Sequence, residues 1–498
     1  MDATTQAAAE SASPRFQPLN WRRAGLLALV GVACFHAAYT PARSGWLAFA
    51  IVGYLICLVQ LARLRTTRQC FYTGLAVGFA CFAPQLECFW RIFGAGAIAL
   101  WLVLAFWIAL FVALTHLALV RLGPKRAALL IPFLWTGLEY FRSELYYLKF
   151  SWLNAGYAFA GWPIIPIGQL GMYGIGFVVT AAAMLLFFLP RDPVQRLSLR
   201  NFAVCVAIIG LLAAMLLTGG SFYVPRPNLV VAGVQLEFPN ERQILQALDR
   251  IVAAQQNMLS RTPRPATNVD LVVLSEYTQD APPTERLKDW CRANRKFLIV
   301  GGKDPASHNN FYDTAFVIST NGEVVFKQVK SVPIQFFKDG LPATEQKVWD
   351  SPWGKIGICI CYDLSYARVT DELVRQGAQM LIVPTMDVAN WGRHQHELHA
   401  RVAPVRAAEY GIPIFRVASS GISQGVSKQG WVQTSAPFEG EGEILFFGAR
   451  LSPGLKGSLP LDRWLAPFCV GVTGLFVAWL AVESFRRKRA TEPKGIPA

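Results

Sequence analysis

Three side chains in this sequence could together activate a nucleophile, and each stands where a β-branched run gives out: Glu276 after "DLVVLS", Lys330 after "EVVFKQV" and Cys361 after "GKIGICI". A thiol attacks only as thiolate, and a cysteine with the ordinary pKa of about 8.5 is mostly protonated at neutral pH. A carboxylate could take its proton, while an ammonium would favour the thiolate and then the oxyanion of a tetrahedral intermediate. The backbone N–H of Tyr362, next after the cysteine, would be a second oxyanion donor. Each residue also has a plainer account. A glutamate at a strand end is commonly a cap or a surface group, Lys330 could be a solvated lysine beside Lys327, and a buried cysteine is a small apolar filler. Ligands of α/β proteins are handled at strand ends, so the joint occurrence in this order favours a site.

The elements that must bring these residues together lie between about Ser221 and Pro460, where short β-branched runs alternate with amphipathic segments in an α/β pattern. Strands are predicted at Asn228 to Leu236, Asp270 to Glu276 and Lys296 to Gly302, with helices at Glu241 to Ser260 and Thr284 to Asn294. Asn321-Gly322 between "TAFVIST" and "EVVFKQV" is a hairpin turn. Then come a strand "GKIGICICYD" with Cys359 and Cys361 on one face, a helix from Tyr366 to Arg375, the strand "MLIVPTMD", one helix from about His394 to Tyr410, and the strand "PIFRVASSG".

The rest of the chain is membrane-like. Of 498 residues 53% are hydrophobic and only 16% charged, too apolar for a soluble protein of this length. Apolar runs of roughly bilayer-crossing length, about 20 residues, recur near Gly25 to Thr40, Trp46 to Leu61, Phe71 to Leu86, Ala95 to Val120, Ala127 to Tyr140, Met172 to Leu189, Phe202 to Leu217 and Leu465 to Val482. That makes about eight spans; Trp162 to Gln169 is a candidate for dipping in without crossing. The net charge of +15 would suggest nucleic acid in a soluble protein, but the basic residues occupy alternate loops. Arg22 and Arg23 precede the first span, Arg63, Arg65 and Arg68 follow the second, Arg121, Lys125 and Arg126 the fourth, Arg191, Arg196 and Arg200 the sixth, and "RRKR" (Arg486 to Arg489) the last. The positive-inside rule then puts both termini in the cytoplasm and the α/β domain on the outer face. Only Cys291, Cys359 and Cys361 of the ten cysteines belong to that domain, an odd trio that does not read as a disulfide framework or a metal set.

With these residues in hand the outer domain resembles the nitrilase superfamily, whose catalytic set is Glu, Lys and Cys in that chain order, and the membrane part makes it similar to the apolipoprotein N-acyltransferase family. The matching pieces are "LSE" at Leu274 to Glu276, "KSVPIQFF" at Lys330 to Phe337, "CYD" at Cys361 to Asp363 and "HARVAPVRAAE" at His399 to Glu409. "LWTGLEYFRS" (Leu134 to Ser143) and "FSWLNAGYAFAGWPIIPIGQLGMYGIGF" (Phe150 to Phe177) carry the likeness in the membrane part. The family usually has Trp-Pro-Glu where this chain has Leu274-Ser275-Glu276, and Glu where it has Asp363. A loop glutamate expected shortly after the lysine is absent, with Lys338 and Asp339 near that place.

The resemblance implies an α-β-β-α sandwich beside the helical membrane domain. It implies an acyl chain passed from a phospholipid through a Cys361 thioester to the N-terminal amine of a diacylated apolipoprotein, with Glu276 as base, Lys330 as charge partner and no cofactor or metal. Asp363, Trp391, His399 and Glu409 are expected to support the site. The expected domains are a disordered tail at 1–20, a bundle of about seven spans at 21–220, the catalytic domain at 221–460, a last span at 461–485 and a basic tail at 486–498. The expected setting is the inner membrane of a diderm bacterium, as a monomer, with the catalytic domain in the periplasm.

Other readings of particular residues stand beside this one. His394, His396, His399 and Glu397 crowd together, but their spacing matches no common zinc motif. Glu87, Arg91, Glu139, Arg142 and Glu144 fall near predicted outer span ends, which suggests interfacial placement. A transporter would need paired, broken, polar helices that the spans lack. A membrane-tethered amidase using the same three residues, with water as acceptor, is the nearer alternative.

Overall fold

The computed structural model describes residues 18–40, 45–160, 166–187, 227–261, 268–454 and 456–491. Nearly all of the expected N-terminal tail, the span expected at Phe202 to Leu217 and the end of the basic C-terminal tail lie outside them. The first half of the chain is helical: α1 (Trp21–Tyr39), α2 (Ala50–Leu61) led in by a 3-10 turn at Gly45–Phe49, α3 (Thr67–Gln85), α4 (Cys88–Phe93), α5 (Gly96–Leu122), α6 (Pro124–Tyr140) and α7 (Ile167–Phe187). A last helix, numbered α13 below, occupies Asp462–Thr491. Helices therefore stand at seven of the eight predicted positions. Among the described residues, three are long and apolar enough to cross a membrane: Gly96–Leu122, Ile167–Phe187 and Asp462–Arg487. Helices α3 and α5 approach closely: a Cβ on Gly74 or Gly78 would come within 2.8 Å of the Cα of Ala109 or Ala105. Small residues four apart on both helices let the backbones approach, the device that replaces hydrophobic drive between helices in lipid.

The second half forms β1 (Leu229–Val234), α8 (Glu241–Arg261), β2 (Leu271–Val273), α9 (Glu285–Asn294), β3 (Phe297–Pro305), β4 (Phe311–Ile318), β5 (Val324–Val329), β6 (Val348–Ser351), β7 (Gly354–Ile358), α10 (Ala367–Arg375), β8 (Met380–Thr385), α11 (Arg393–Ala400), α12 (Val402–Tyr410), β9 (Ile414–Ala418), β10 (Ser423–Val426), β11 (Val432–Ala436) and β12 (Ile444–Ala449). They make two six-stranded sheets, ordered β12-β1-β2-β3-β4-β5 and β11-β10-β9-β8-β7-β6. Strand alternation explains the layers: Val230, Ala232 and Val234 pack outward with α8 and α9, whereas Leu229, Val231, Leu271 and Val273 face the main core. The sheets meet closely. Phe415 of β9 stacks on Phe447 of β12 at 6.0 Å, and a Cβ on Gly233 would lie 2.6 Å from Val417.

Three expectations need correction. The helix predicted from His394 to Tyr410 is two helices, because Pro404 has no N–H and its ring would crowd the carbonyl of Ala400. The strand predicted to carry Cys361 ends at Ile358, and Cys361 opens a 3-10 turn with φ +51°. Glu139, Arg142 and Glu144 are not interfacial: they are buried. Glu139 Oε1 accepts from the Ala155 N–H at 2.8 Å and Arg142 bonds Asn154. Glu87 and Arg91 do lie at the surface, paired at 3.1 Å.

A buried ionic cluster joins the two halves. Helix α7 is broken at Gly171, whose φ of +75° lets the chain turn and restart. The amides freed by that break are capped by carboxylates from elsewhere: Met172 N–H donates to Glu409 Oε1 at 2.7 Å and Tyr173 N–H to Asp462 Oδ2 at 2.9 Å. Arg406 donates to Glu409 at 2.6 Å and to the carbonyls of Leu364 (3.1 Å) and Ser365 (2.8 Å). Arg463 spans Asp371 at 2.8 Å and Glu409 at 3.4 Å. Gly171→Ala should thus be costly, since the positive φ excludes a side chain and its Cβ would fall 2.1 Å from the Asp462 carboxylate. We expect a loss of about 1–3 kcal/mol, read as a lower thermal midpoint in detergent, with Gly25→Ala, which has open space around it, as an unaffected control. An unchanged midpoint for Gly171→Ala would mean the cluster does not depend on that turn.

Candidate active site

The ends of strands from both sheets converge on one buried group of charges. Glu276, just past β2, and Lys330, just past β5, are each 1% exposed, and Lys330 Nζ donates to Glu276 Oε1 at 2.6 Å. Close approach of β3 allows this: a Cβ on Gly301 would meet the Glu276 backbone at 2.6 Å. The ammonium also lies 2.7 Å from Asp339 and 3.6 Å from Asp313. Three carboxylates around one buried ammonium leave surplus negative charge. Burial, with Glu276 beside it, pushes Asp313 well above the usual carboxylate range, while the carboxylates hold Lys330 well above the usual lysine value despite its burial. Asp339 Oδ1 accepts from the Tyr277 hydroxyl at 2.9 Å and Oδ2 from the Ile334 N–H at 2.7 Å, so its carboxylate is fixed from three sides.

Cys361 meets this group through β8. The Met386 N–H donates to Glu276 Oε2 at 2.7 Å and the Met386 carbonyl accepts from Cys361 Sγ at 3.6 Å, so one residue holds both Glu276 and Cys361. Burial raises the Cys361 thiol well above its ordinary value, Glu276 adds to this and Lys330 opposes it. The positive φ of Cys361 takes the chain out of the strand into a turn that Asp363 secures. Asp363 accepts from the N–H groups of Ser331 (3.0 Å), Val332 (2.7 Å) and Ile360 (3.2 Å), tying the segment after Lys330 to the nucleophile's turn. Burial pushes its pKa up to about 6, against the lowering effect of these amides.

Cys361 and Tyr362 open onto a cavity whose other wall comes from the helical half, including Phe89, Phe93 and Leu104. Phe336 and Phe337 line it too and meet Phe93 edge-on at 6.0 and 5.6 Å. Trp391, His399, Asp387 and Gln395 also line it. The structure thus brings Glu276, Lys330, Cys361, Tyr362, Asp363, Trp391 and His399 into one region. Glu409 is elsewhere, in the ionic cluster with Arg406 and Met172.

The sequence reading missed Asp313 and the Asp387–Arg416 pair, which bond side chain to side chain, and noted Asp339 only by its position in the chain. The crowded histidines do not converge. His394 bonds Gln85 at 2.8 Å, His396 the Val388 carbonyl at 3.1 Å and His399 Asp387 at 2.8 Å. Among the described residues, Glu276, Asp313 and Asp339 bring their oxygens close enough to share a cation, and the Lys330 ammonium already contacts all three.

Residues 30–185 match the family model described as the apolipoprotein N-acyltransferase N-terminal domain, and residues 258–447 match the carbon-nitrogen hydrolase model. A Geobacter metallireducens protein named apolipoprotein N-acyltransferase is 26% identical over 491 residues, covering 89% of this chain and 91% of its own. One of the same name from Shewanella oneidensis is 24% identical over 422 residues, covering 74% and 79%. A Dictyostelium discoideum protein named deaminated glutathione amidase is 30% identical over a shorter stretch of 155 residues, 28% of this chain and 51% of its own.

The raised thiol has a measurable consequence. A cysteine whose pKa lies above the ordinary range is protonated through neutral pH, and its thiolate fraction climbs about tenfold per pH unit below that pKa. Alkylation of Cys361 by iodoacetamide, followed on its peptide by mass spectrometry, should keep rising from pH 7 to 9 without levelling. A plateau near neutrality would mean a preformed thiolate–lysine ion pair instead.

Proposed function

The chain belongs to the apolipoprotein N-acyltransferase family, within the nitrilase superfamily, and on that premise we propose how its residues carry out lipoprotein N-acylation. Glu276 takes the Cys361 proton as the sulfur attacks an ester carbonyl of a membrane phospholipid. The Tyr362 N–H and the Lys330 ammonium stabilise the oxyanion. Collapse breaks the ester C–O bond, Glu276 returns the proton to the departing alkoxide, and a lysophospholipid leaves behind a Cys361 thioester. The α-amine of a diacylglyceryl-cysteine then attacks the thioester, the C–S bond breaks, and an amide and a free thiol result.

The observation that carries this reading is the cavity at Cys361. One wall holds the nucleophile and polar groups of the α/β domain, the other holds Phe89, Phe93 and Leu104 from helices of the apolar half. A small soluble amide needs no such wall, whereas two bilayer-anchored substrates do, and confinement in one membrane supplies their proximity. Trp391 and the Phe336–Phe337 pair shield the thioester from water. The amidase alternative has support over shorter stretches of sequence. About eight spans, both termini in the cytoplasm, a periplasmic domain at about 221–460 and a monomer complete the proposal; the alternating basic loops support the orientation.

Incubation with phospholipid should give an acyl adduct on Cys361, visible by mass spectrometry, that a diacylated lipopeptide discharges. Cys361→Ala should abolish adduct and transfer, and Glu276→Gln should slow adduct formation about 10²- to 10⁴-fold. An adduct on Cys361→Ala, or faster discharge to water than to lipopeptide, would defeat the reading.

A further inference from the structure

Proton balance separates the two half-reactions. In the first, Cys361 loses one proton and the departing alkoxide takes one, so a single carboxylate serves as acceptor and then donor. In the second, the acceptor arrives mainly as an ammonium, the ordinary pKa of an α-amine being about 7.7–8.0. It must lose two protons to become an amide N–H. One returns to the Cys361 sulfur by way of Glu276 when the C–S bond breaks. The other has no destination among Glu276, Lys330 and Cys361.

His399 offers one. It is 2% exposed and lines the same cavity as Cys361, its ring stacked on Trp152 at 4.6 Å. Its Nδ1 lies 2.8 Å from Asp387 Oδ1. Asp387 is itself fully buried, bonded by the Arg416 guanidinium and, at 3.1 Å, by Gln395 Nε2. His399 and Arg416 hold its carboxyl well below the usual range against burial. Arg416 Nη2 also lies 3.1 Å from Nδ1, but it donates to Asp387 Oδ2; because an ionised Asp387 can only accept, we assign the hydrogen to Nδ1 and the lone pair to Nε2. Nε2 is buried and has no hydrogen-bond partner among the described residues. Leaving a buried acceptor unmet is costly, and an arriving ammonium, rich in donors and drawn by Asp387 and Glu276, would meet it.

We infer that His399 is a second base, serving the acceptor half-reaction alone: Nε2 takes one proton from the ammonium of the diacylglyceryl-cysteine, and the imidazolium passes it to solvent. The neutral amine's nitrogen then forms the C–N bond, its second proton going through Glu276 to sulfur as the C–S bond breaks. The groups facing the ring are Asp387, Arg416 and Glu276, with His396 on its own helix. Burial keeps the imidazole below its ordinary pKa, neutral and able to accept at pH 7. This inference rests on the acyl-transfer reading.

The test separates the half-reactions. His399→Gln and His399→Asn are loaded with acyl chain from phospholipid, then discharged at pH 7 with a diacylated lipopeptide or with hydroxylamine, an acceptor already neutral there. Both variants should acylate at close to the wild-type rate and discharge to hydroxylamine normally. Discharge to lipopeptide should be slower on the order of 10²-fold, a gap that narrows as pH rises past the amine's own pKa. Equal slowing with both acceptors, no slowing with either, or failure of both variants to acylate would each overturn the assignment and make His399 a packing residue. Failure of the transferase reading looks different: the wild-type thioester itself would not pass to the lipopeptide.

Discussion

The site depends on keeping one ammonium charged in a protein interior. Desolvating Lys330 alone would force it neutral; its charge survives because carboxylates from separate segments surround it. Glu276 follows β2, Asp313 lies on β4 and Asp339 comes from the loop after β5, so this charge balance also fixes how those segments sit together. The same surroundings act on the neighbouring thiol: burial raises Cys361 above its ordinary value, the Glu276 charge adds to this, and Lys330 opposes it. In the proposed reaction the thiol therefore has to give its proton to Glu276 as it attacks.

A second set of buried charges answers a different demand. For membrane-embedded substrates the nucleophile must be held at a fixed height against the helices. Surface ion pairs are worth at most about 1 kcal/mol and would not enforce this. The cluster of Arg406, Glu409, Asp462, Arg463 and Asp371 is buried, and its carboxylates cap amides exposed by the break in α7 at Gly171. Arg406 simultaneously grips the carbonyls of Leu364 and Ser365, in the turn that begins at Cys361. The same guanidinium thus joins the broken helix, through Glu409, to the nucleophile's turn.

What the sequence revealed and what it hid divide along physical lines. Glu276, Lys330 and Cys361 were legible because each interrupts a β-branched run, a local signal. Asp313 was not, because an acid inside "FYDTAFVI" reads as a solvent-facing strand position; only the neighbouring strand shows that it points to Lys330. The Asp387–Arg416 contact joins residues 29 apart through two parallel strands, and no local pattern encodes it. Glu139 and Arg142 looked interfacial because hydropathy reports distance along the chain, whereas their partners come from the segment at Asn154 and Ala155. The positive φ of Cys361 was equally hidden, since the run "IGICI" continues the β pattern two residues past the last strand residue.

Asp363 shows how one segment combines a rigidly held end at the site with a more loosely held end on the cavity wall. Its carboxylate binds the amides of Ser331 and Val332, directly after Lys330, and of Ile360, directly before Cys361. The near end of "SVPIQFF" is thereby pinned to the nucleophile's turn, and Ile334 is held again by Asp339. Its far end is of the opposite character: Phe336 is 68% exposed, and with Phe337 it meets Phe93 edge-on, while Phe337 also lies 6.4 Å from the Trp391 ring and Gln335 donates to the Tyr147 carbonyl at 3.0 Å. Edge contacts of this kind are worth about 1 kcal/mol, far less than the pinned end, which is held by charge-assisted hydrogen bonds. The segment is thus held most firmly at the end that carries Lys330 and least firmly at the phenylalanines that line the cavity.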